Sequence, residues 1–277
     1  MSSLCLSNRP GTLTLALALA LIGIAGAAGA YPGGTPEFQT DVAPFCAACH
    51  ASRSTDVLPG IGDRATAELA ENKHFALILA GEGAYADLSE TDRKTLVEQL
   101  RALDTASSVA LVAPAAVDPG QRFEVTVSVT GGAGPVVGVG LADSTHRWFA
   151  RPAASAGWRI AGPPQITGSD GQPRVDWISK RPEGDRNISF VNVTNVSSNS
   201  AAQQWDSARV VFTLQAPDKP GKYPLVAFYL YGTETSTPLG YTTDALGNEN
   251  PRGTYLGTSG RILSTPVKTI EVKAPMR

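Results

Sequence analysis

The sequence predicts a chain of two structural parts after a removable leader: a small all-α domain over residues 31–105 and an all-β sandwich over residues 106–277. The periodicity of apolar residues changes between them, from about 3.6, the period of a helix, to 2, the period of a strand. The 28 Gly and 20 Pro among 277 residues also favour short strands and turns over long helices.

The composition excludes two broad classes of protein. Lys and Arg total 23 and Asp and Glu total 25, a formal net charge of −2. A dedicated nucleic-acid binder carries a basic excess that this chain lacks. The chain has 42% hydrophobic and 17% charged residues. Disordered proteins have fewer hydrophobic residues, so this composition is typical of a folded chain.

Residues 1–30 have the pattern of an export signal. Arg9 gives a short basic start, residues 13–29 form an uncharged run rich in Leu and Ala, and small residues end it at residues 28–30. Such a signal is removed after export, so we expect a periplasmic or extracellular protein without Cys5. An uncleaved N-terminal anchor is the alternative.

The mature chain then keeps two cysteines, in the run Cys46-Ala-Ala-Cys49-His50. This is the attachment pattern of haem c. The two thiols add to the two haem vinyl groups, and the adjacent imidazole of His50 reaches the iron as proximal ligand. A redox dithiol would need a βαβ context, and a zinc site would need further ligands. The pattern therefore predicts one covalently attached haem c.

Two helices are predicted after this motif. The first spans about residues 65–80. The second begins after Ser89, which can cap it together with Asp92, and Leu88 before the cap can pack back onto the helix. Apolar residues at helical spacing then predict its buried face: Leu96, Leu100 and Leu103.

These features resemble the class I cytochrome c family over about residues 31–104. The resemblance implies that the carbonyl of Pro59, in Leu58-Pro59-Gly60, accepts the Nδ1 proton of His50. It also implies a methionine as second axial ligand just before the last helix. Tyr85 stands there instead, and the chain contains only Met1 and Met276.

The second axial ligand is therefore predicted to be a residue other than methionine. His74 is the only other histidine before residue 105 and is the first choice. A second histidine would give a lower reduction potential than a methionine. Tyr85 or Lys73, or a position left open, are the alternatives.

Strands are predicted wherever apolar residues alternate or form short runs between turns. Residues 104–109 are expected to form a linker before them. The alternation slips at Phe190 and Val191, which predicts a bulge. The turn phrases at residues 117–120 and 219–223 resemble bacterial immunoglobulin-like and reelin-like surface domains. The expected strand regions are residues 123–129, 136–141, 188–193, 210–214, 222–231 and 267–272.

The predicted function is that of a monohaem c-type cytochrome that transfers single electrons, with the β-sandwich as a docking or assembly module. Residues 31–105 carry 12 acids and 6 bases, which favours a redox partner protein with a basic patch. An open-site haem sensor or peroxidase-like protein, and a surface binding protein in which the sandwich carries the main role, remain alternatives. No catalytic residue is predicted, because no nucleophile elbow, P-loop or dinucleotide motif has a fitting context.

Overall fold

The structure is a computed structural model that describes residues 70–143, 153–174, 190–253 and 260–274. This part of the chain is mostly β-sheet, with two α-helices at its start. The β-rich character predicted for the second part of the chain is therefore confirmed. The leader and residues 31–69 lie outside the described residues, so the all-α domain stays a prediction.

The two helices are α1 (His74–Ala80), which follows a 3-10 turn at Ala70–Asn72, and α2 (Glu90–Ala106). Within the described residues, the predicted helix over residues 65–80 is thus α-helical only from residue 74. Gly81 ends α1 with a φ of +69°, a left-handed conformation that favours glycine.

The predicted start of α2 is confirmed. The backbone N–H of Asp92 donates to Ser89 Oγ at 3.1 Å, and Ser89 Oγ donates to Asp92 Oδ2 at 2.6 Å. This satisfies one of the backbone donors that a helix start leaves without an intrahelical partner. The predicted apolar face of α2 is buried, at Leu96, Leu100 and Leu103.

Two mainly antiparallel sheets make up the β-rich part. The first has the strand order β1-β3-β8-β5, with β6 also on β8, and the second has the order β2-β13-β9-β4-β7, with β12 also on β9. A separate hairpin joins β10 to β11. The strands are β1 (Ser108–Val112), β2 (Ala116–Val117), β3 (Arg122–Thr130), β4 (Ala133–Ala142), β5 (Arg159–Ile160), β6 (Gln165–Gly168), β7 (Phe190–Ser197), β8 (Ser207–Gln215), β9 (Gly221–Gly232), β10 (Tyr241–Thr243), β11 (Glu249–Pro251), β12 (Arg261–Ser264) and β13 (Lys268–Val272).

Residues of both sheets fill one core. In β3, Val125, Val127 and Val129 are buried between exposed or half-buried neighbours, which is the alternation that the sequence predicts. They join Val139 of β4 and Tyr229 of β9 in the same cluster. The sheets therefore pack with their inner faces together, as a half-buried strand pattern requires.

The predicted bulge at Phe190 and Val191 is wrong. Both residues pair regularly with β4, opposite Gly140 and Val139. The alternation slips because both faces of β7 are buried here: Val191 lies in the main core, while Phe190 stacks on Phe228 in a second apolar cluster.

The predicted linker at residues 104–109 is also not a loop. Helix α2 runs to Ala106 and β1 begins at Ser108. Ser107 between them is fully buried: its Oγ donates to the carbonyl of Leu103 at 2.7 Å and accepts from the backbone N–H of Gly132 at 2.9 Å. Leu103 is part of the main β core. The end of α2 is thereby fixed to the sheets.

Candidate functional site: a buried histidine cluster between the helices and the sheets

Of the residues that the sequence considers for haem, the structure describes three. Lys73 is exposed and directly precedes α1. His74 begins α1, and Tyr85 ends a 3-10 turn at Gly83–Tyr85. Both side chains are buried, and His74 Nε2 lies 3.1 Å from Tyr85 Oη. Cys46, Cys49, His50 and Pro59 lie outside the described residues, so their roles stay predictions.

The short helix α1 buries His74 on its inner side, together with Phe75 and Ile78. The ring of Phe75 stacks beside that of His74, with 5.5 Å between the ring centres. The guanidinium groups of Arg101 and Arg261 lie over the Phe75 ring at 5.3 and 5.4 Å. Such cation–π contacts hold an aromatic ring in place in addition to its apolar packing.

Tyr85 is held by a turn that is fixed to the β-rich part of the chain. Arg252 donates from its guanidinium to the carbonyl of Ala84, to the carboxylate of Asp87 and to the carbonyl of Leu239. The carbonyls of Ala84 and Leu239 belong to segments more than 150 residues apart, so a single buried side chain joins them. The position of the Tyr85 hydroxyl therefore depends on the sheets.

Glu234 is the acceptor at the centre of the cluster. It lies in a 3-10 turn at Glu234–Ser236 that follows β9, and it is 1% exposed. Its Oε1 accepts from Tyr85 Oη at 2.6 Å and lies 2.6 Å from His74 Nε2, while its Oε2 accepts from Thr233 Oγ1 at 2.7 Å. Burial raises the pKa of this carboxyl, but His74 and the hydroxyl donors outweigh burial and lower the pKa below its ordinary value of 4.5. The side chains of His74, Tyr85 and Thr233 face its two oxygens within hydrogen-bond distance, which favours the carboxylate form of Glu234.

Arg261, at the start of β12, occupies the other side of the histidine. Its Nη2 lies 2.9 Å from His74 Nδ1, and its Nε donates to Asp104 Oδ2 at 2.9 Å. Asp104 Oδ1 in turn accepts from Tyr231 Oη at 2.9 Å. A guanidinium has only donors, so Nδ1 of His74 must accept. His74 is accordingly assigned as the neutral tautomer with its proton on Nε2, which donates to Glu234.

This arrangement does not fit His74 as an iron ligand. A metal ligand needs a ring nitrogen with a lone pair directed at the metal. The lone pair on Nδ1 accepts from Arg261, and Nε2 carries the proton given to Glu234. Tyr85 donates its hydroxyl to the same carboxylate. Within the described ranges, no group of three or more His, Cys, Asp or Glu side chains is arranged to hold a metal ion.

Sequence reasoning missed the three charged partners in the cluster, Glu234, Arg261 and Asp104, and the hydroxyl donors Tyr231 and Thr233. Glu234 and Arg261 follow His74 by 160 and 187 positions, and nothing in their neighbourhoods points to a histidine. The buried partner of Asp104 could have been expected from the position of this residue in the sequence. Asp104 falls on the apolar stripe of α2, one position after Leu103 and four after Leu100. A carboxylate on such a stripe is expected to have a buried partner.

Comparisons with known proteins do not assign this cluster or the chain. Neither the protein-family models nor the curated protein sequences contain a match to it. Among the helices of the described ranges, none is both long and apolar enough to cross a membrane.

Proposed function

We propose that this chain is an exported monohaem c-type cytochrome that transfers single electrons, with the β-rich part as its docking or assembly module. The observation that carries the proposal is the motif Cys46-Ala-Ala-Cys49-His50 behind an export signal. Cys46 and Cys49 would anchor the haem by thioether bonds, and His50 would be its proximal ligand. A haem held in this way supplies one-electron Fe(III)/Fe(II) chemistry.

The fixed junction between helices and sheets supports the docking role. Ser107, Arg252 and Arg261 each bond across it, so the helices that follow the haem motif are held in one orientation to the sheets. A partner bound to the sheets would then meet α1 and α2 in a fixed orientation. The acidic excess of residues 31–105 favours a partner with a basic patch.

The test is covalent haem attachment in cells that export the chain and attach haem c. We expect the purified protein to carry one haem that survives denaturation and to show a haem c pyridine haemochrome spectrum. The double variant Cys46→Ala/Cys49→Ala should lose it. Cys5→Ala is the matched control and should keep full loading, because Cys5 lies in the predicted leader. A wild-type protein without covalent haem contradicts the proposal.

A specific observation favours one second candidate function, that of an open-site haem sensor or peroxidase-like protein. Both ring nitrogens of His74 have protein partners, so the first-choice residue for the sixth position of the iron is engaged elsewhere, which favours a position open to an exogenous ligand. Binding of CO to the reduced protein would support this second function. A reduced protein that does not bind CO supports electron transfer instead.

A further inference from the structure

We propose that Glu234 and Arg261 sequester His74, so that His74 is a junction residue and not the second axial ligand of the haem. This inference rests on the proposed function for the presence of haem. It concerns residues that the structure describes, and it replaces the role that the sequence predicts for this histidine. Two residues of the β-rich part would thereby keep the histidine of α1 away from the iron.

Arg261 at Nδ1 and Glu234 at Nε2 both oppose the binding of iron through Nε2 of His74. A neutral imidazole bound through Nε2 carries its proton on Nδ1. That proton would face Arg261 Nη2, which is also a donor and lies only 2.9 Å away. The carboxylate of Glu234 would remain buried and keep the hydroxyl donors Tyr85 and Thr233, but it would lose the donor at 2.6 Å from His74. Loss of a hydrogen bond to a buried charged group is unfavourable.

Binding through Nδ1 would keep the hydrogen bond from Nε2 to Glu234 and is opposed by Arg261 alone. The guanidinium of Arg261 would have to move away from the His74 ring, although the Arg261 side chain is 0% exposed. Asp104 would remain as its charged partner, with the carbonyl of Gly260. Arg261 also lies over the ring of Phe75 at 5.4 Å. A movement of Arg261 would therefore disturb the packing of α1 as well.

The experiment compares the full-length holoprotein with His74→Gln and His74→Ala by optical and electron paramagnetic resonance spectroscopy. Glutamine offers one amide donor and one carbonyl acceptor, which preserves the chemistry toward Glu234 and Arg261 without a ring nitrogen. We expect the spin state of the ferric iron to be unchanged in His74→Gln, and the CO affinity of the reduced form to stay within about twofold. A low-spin wild type that becomes high-spin in this variant overturns the inference.

His74→Ala provides the contrast to the glutamine variant. It removes the hydrogen bonds to Glu234 and Arg261 and is expected to lower the stability of the protein. We expect the ferric iron of the folded protein to keep the wild-type spin state. If it fails to fold, His74→Gln alone decides the question, because it retains a donor and an acceptor.

A second measurement is independent of haem. In ¹⁵N-labelled protein, the ring nitrogens of His74 are identified by the signals missing in His74→Gln, and their shifts report the tautomer. We expect a protonated Nε2 and an unprotonated Nδ1. A proton on Nδ1 overturns the inference even when the haem is present. If the protein carries no covalent haem but shows the expected tautomer, the proposed function fails while the sequestered histidine stands.

Discussion

At the scale of single residues, Arg261 and Asp104 dominate the buried network. Their side chains are 0% and 8% exposed, and they share a hydrogen bond at 2.9 Å. Removing one partner of a buried pair leaves a charge without compensation, although the intact pair contributes little net stability. The hydroxyl of Tyr231 takes the second oxygen of Asp104. We therefore expect the network to fix the position of the helices on the sheets more than to add net stability.

Asp206 is a second carboxylate that stabilises the fold, and it predicts a pH dependence. Burial raises its pKa, but the Ser169 side chain and the backbone N–H groups of Ser197 and Ser207 outweigh burial and hold the pKa below its ordinary value of 3.8. A carboxyl with a lowered folded-state pKa stabilises the protein above pH 3.8, and this contribution is lost as the pH falls through the folded-state pKa.

We therefore expect Asp206→Asn to lower the urea midpoint of the full chain at pH 7. The difference from the wild type should shrink when both are measured well below pH 3.8, because the wild-type carboxyl is then protonated as well. The measurement is urea unfolding at both pH values. A difference of equal size at the two values would show that the charge of Asp206 has no part in it.

At the scale of elements, α2 shows how far the sequence predicts this structure. Its cap at Ser89 and its apolar stripe could be predicted because both follow from residues three or four positions apart. The same holds for the alternation in β3. The burial of both faces of β7 could not be predicted in this way. It depends on Phe228, which is 38 positions away in sequence from Phe190.

The partners of His74 could not be predicted from local sequence patterns, because they are also distant in sequence. Sequence reasoning found a histidine and a tyrosine, and the structure brings them within 3.1 Å. It assigned both to the iron, Tyr85 because it stands where the family has a methionine, and His74 because it is the only other histidine before residue 105. Arg261 begins β12 opposite Tyr231 of β9, and Glu234 lies in the turn that follows β9, so the pairing of these two strands brings both residues to the same end of the second sheet. Such long-range pairing leaves no trace in local periodicity.

Loss of the cap tests the contribution of α2. Ser89→Ala removes the acceptor for the Asp92 N–H, and we expect it to lower the free energy of unfolding by about 1 kcal/mol. Ser89→Asp should retain most of the stability, since aspartate also caps helices. Thr91→Ala is the control, because Thr91 is exposed in the first turn. An equal loss in Ser89→Ala and Thr91→Ala would argue against capping.

At the scale of the whole molecule, the helices and the sheets are expected to unfold together. Leu103 of α2 belongs to the β core, and Asp104 beside it holds Arg261 of β12. No flexible connection separates α2 from β1, because Ser107 bonds to both sides of the junction. Interactions that cross a junction couple the stability of its two sides.

Asp104→Asn tests this coupling. It leaves the Arg261 guanidinium without its buried carboxylate, and we expect a loss of about 3–5 kcal/mol. Far-UV circular dichroism follows the helices, and tryptophan fluorescence follows the sheets, because all four tryptophans come after residue 105 and Trp158 lies in the β core with Trp205 packed against it. Both probes should shift together in urea.

Glu71→Gln is the matched control, since it makes the same change in the exposed pair with Arg101 and should cost about 0–1 kcal/mol. If Asp104→Asn shifts the helical signal and leaves the fluorescence transition in place, the two parts are independent folding units. The network at His74 would then be a contact between units. Coincident shifts would instead make the junction part of one cooperative core, which is what the burial of Leu103, Asp104 and Ser107 requires.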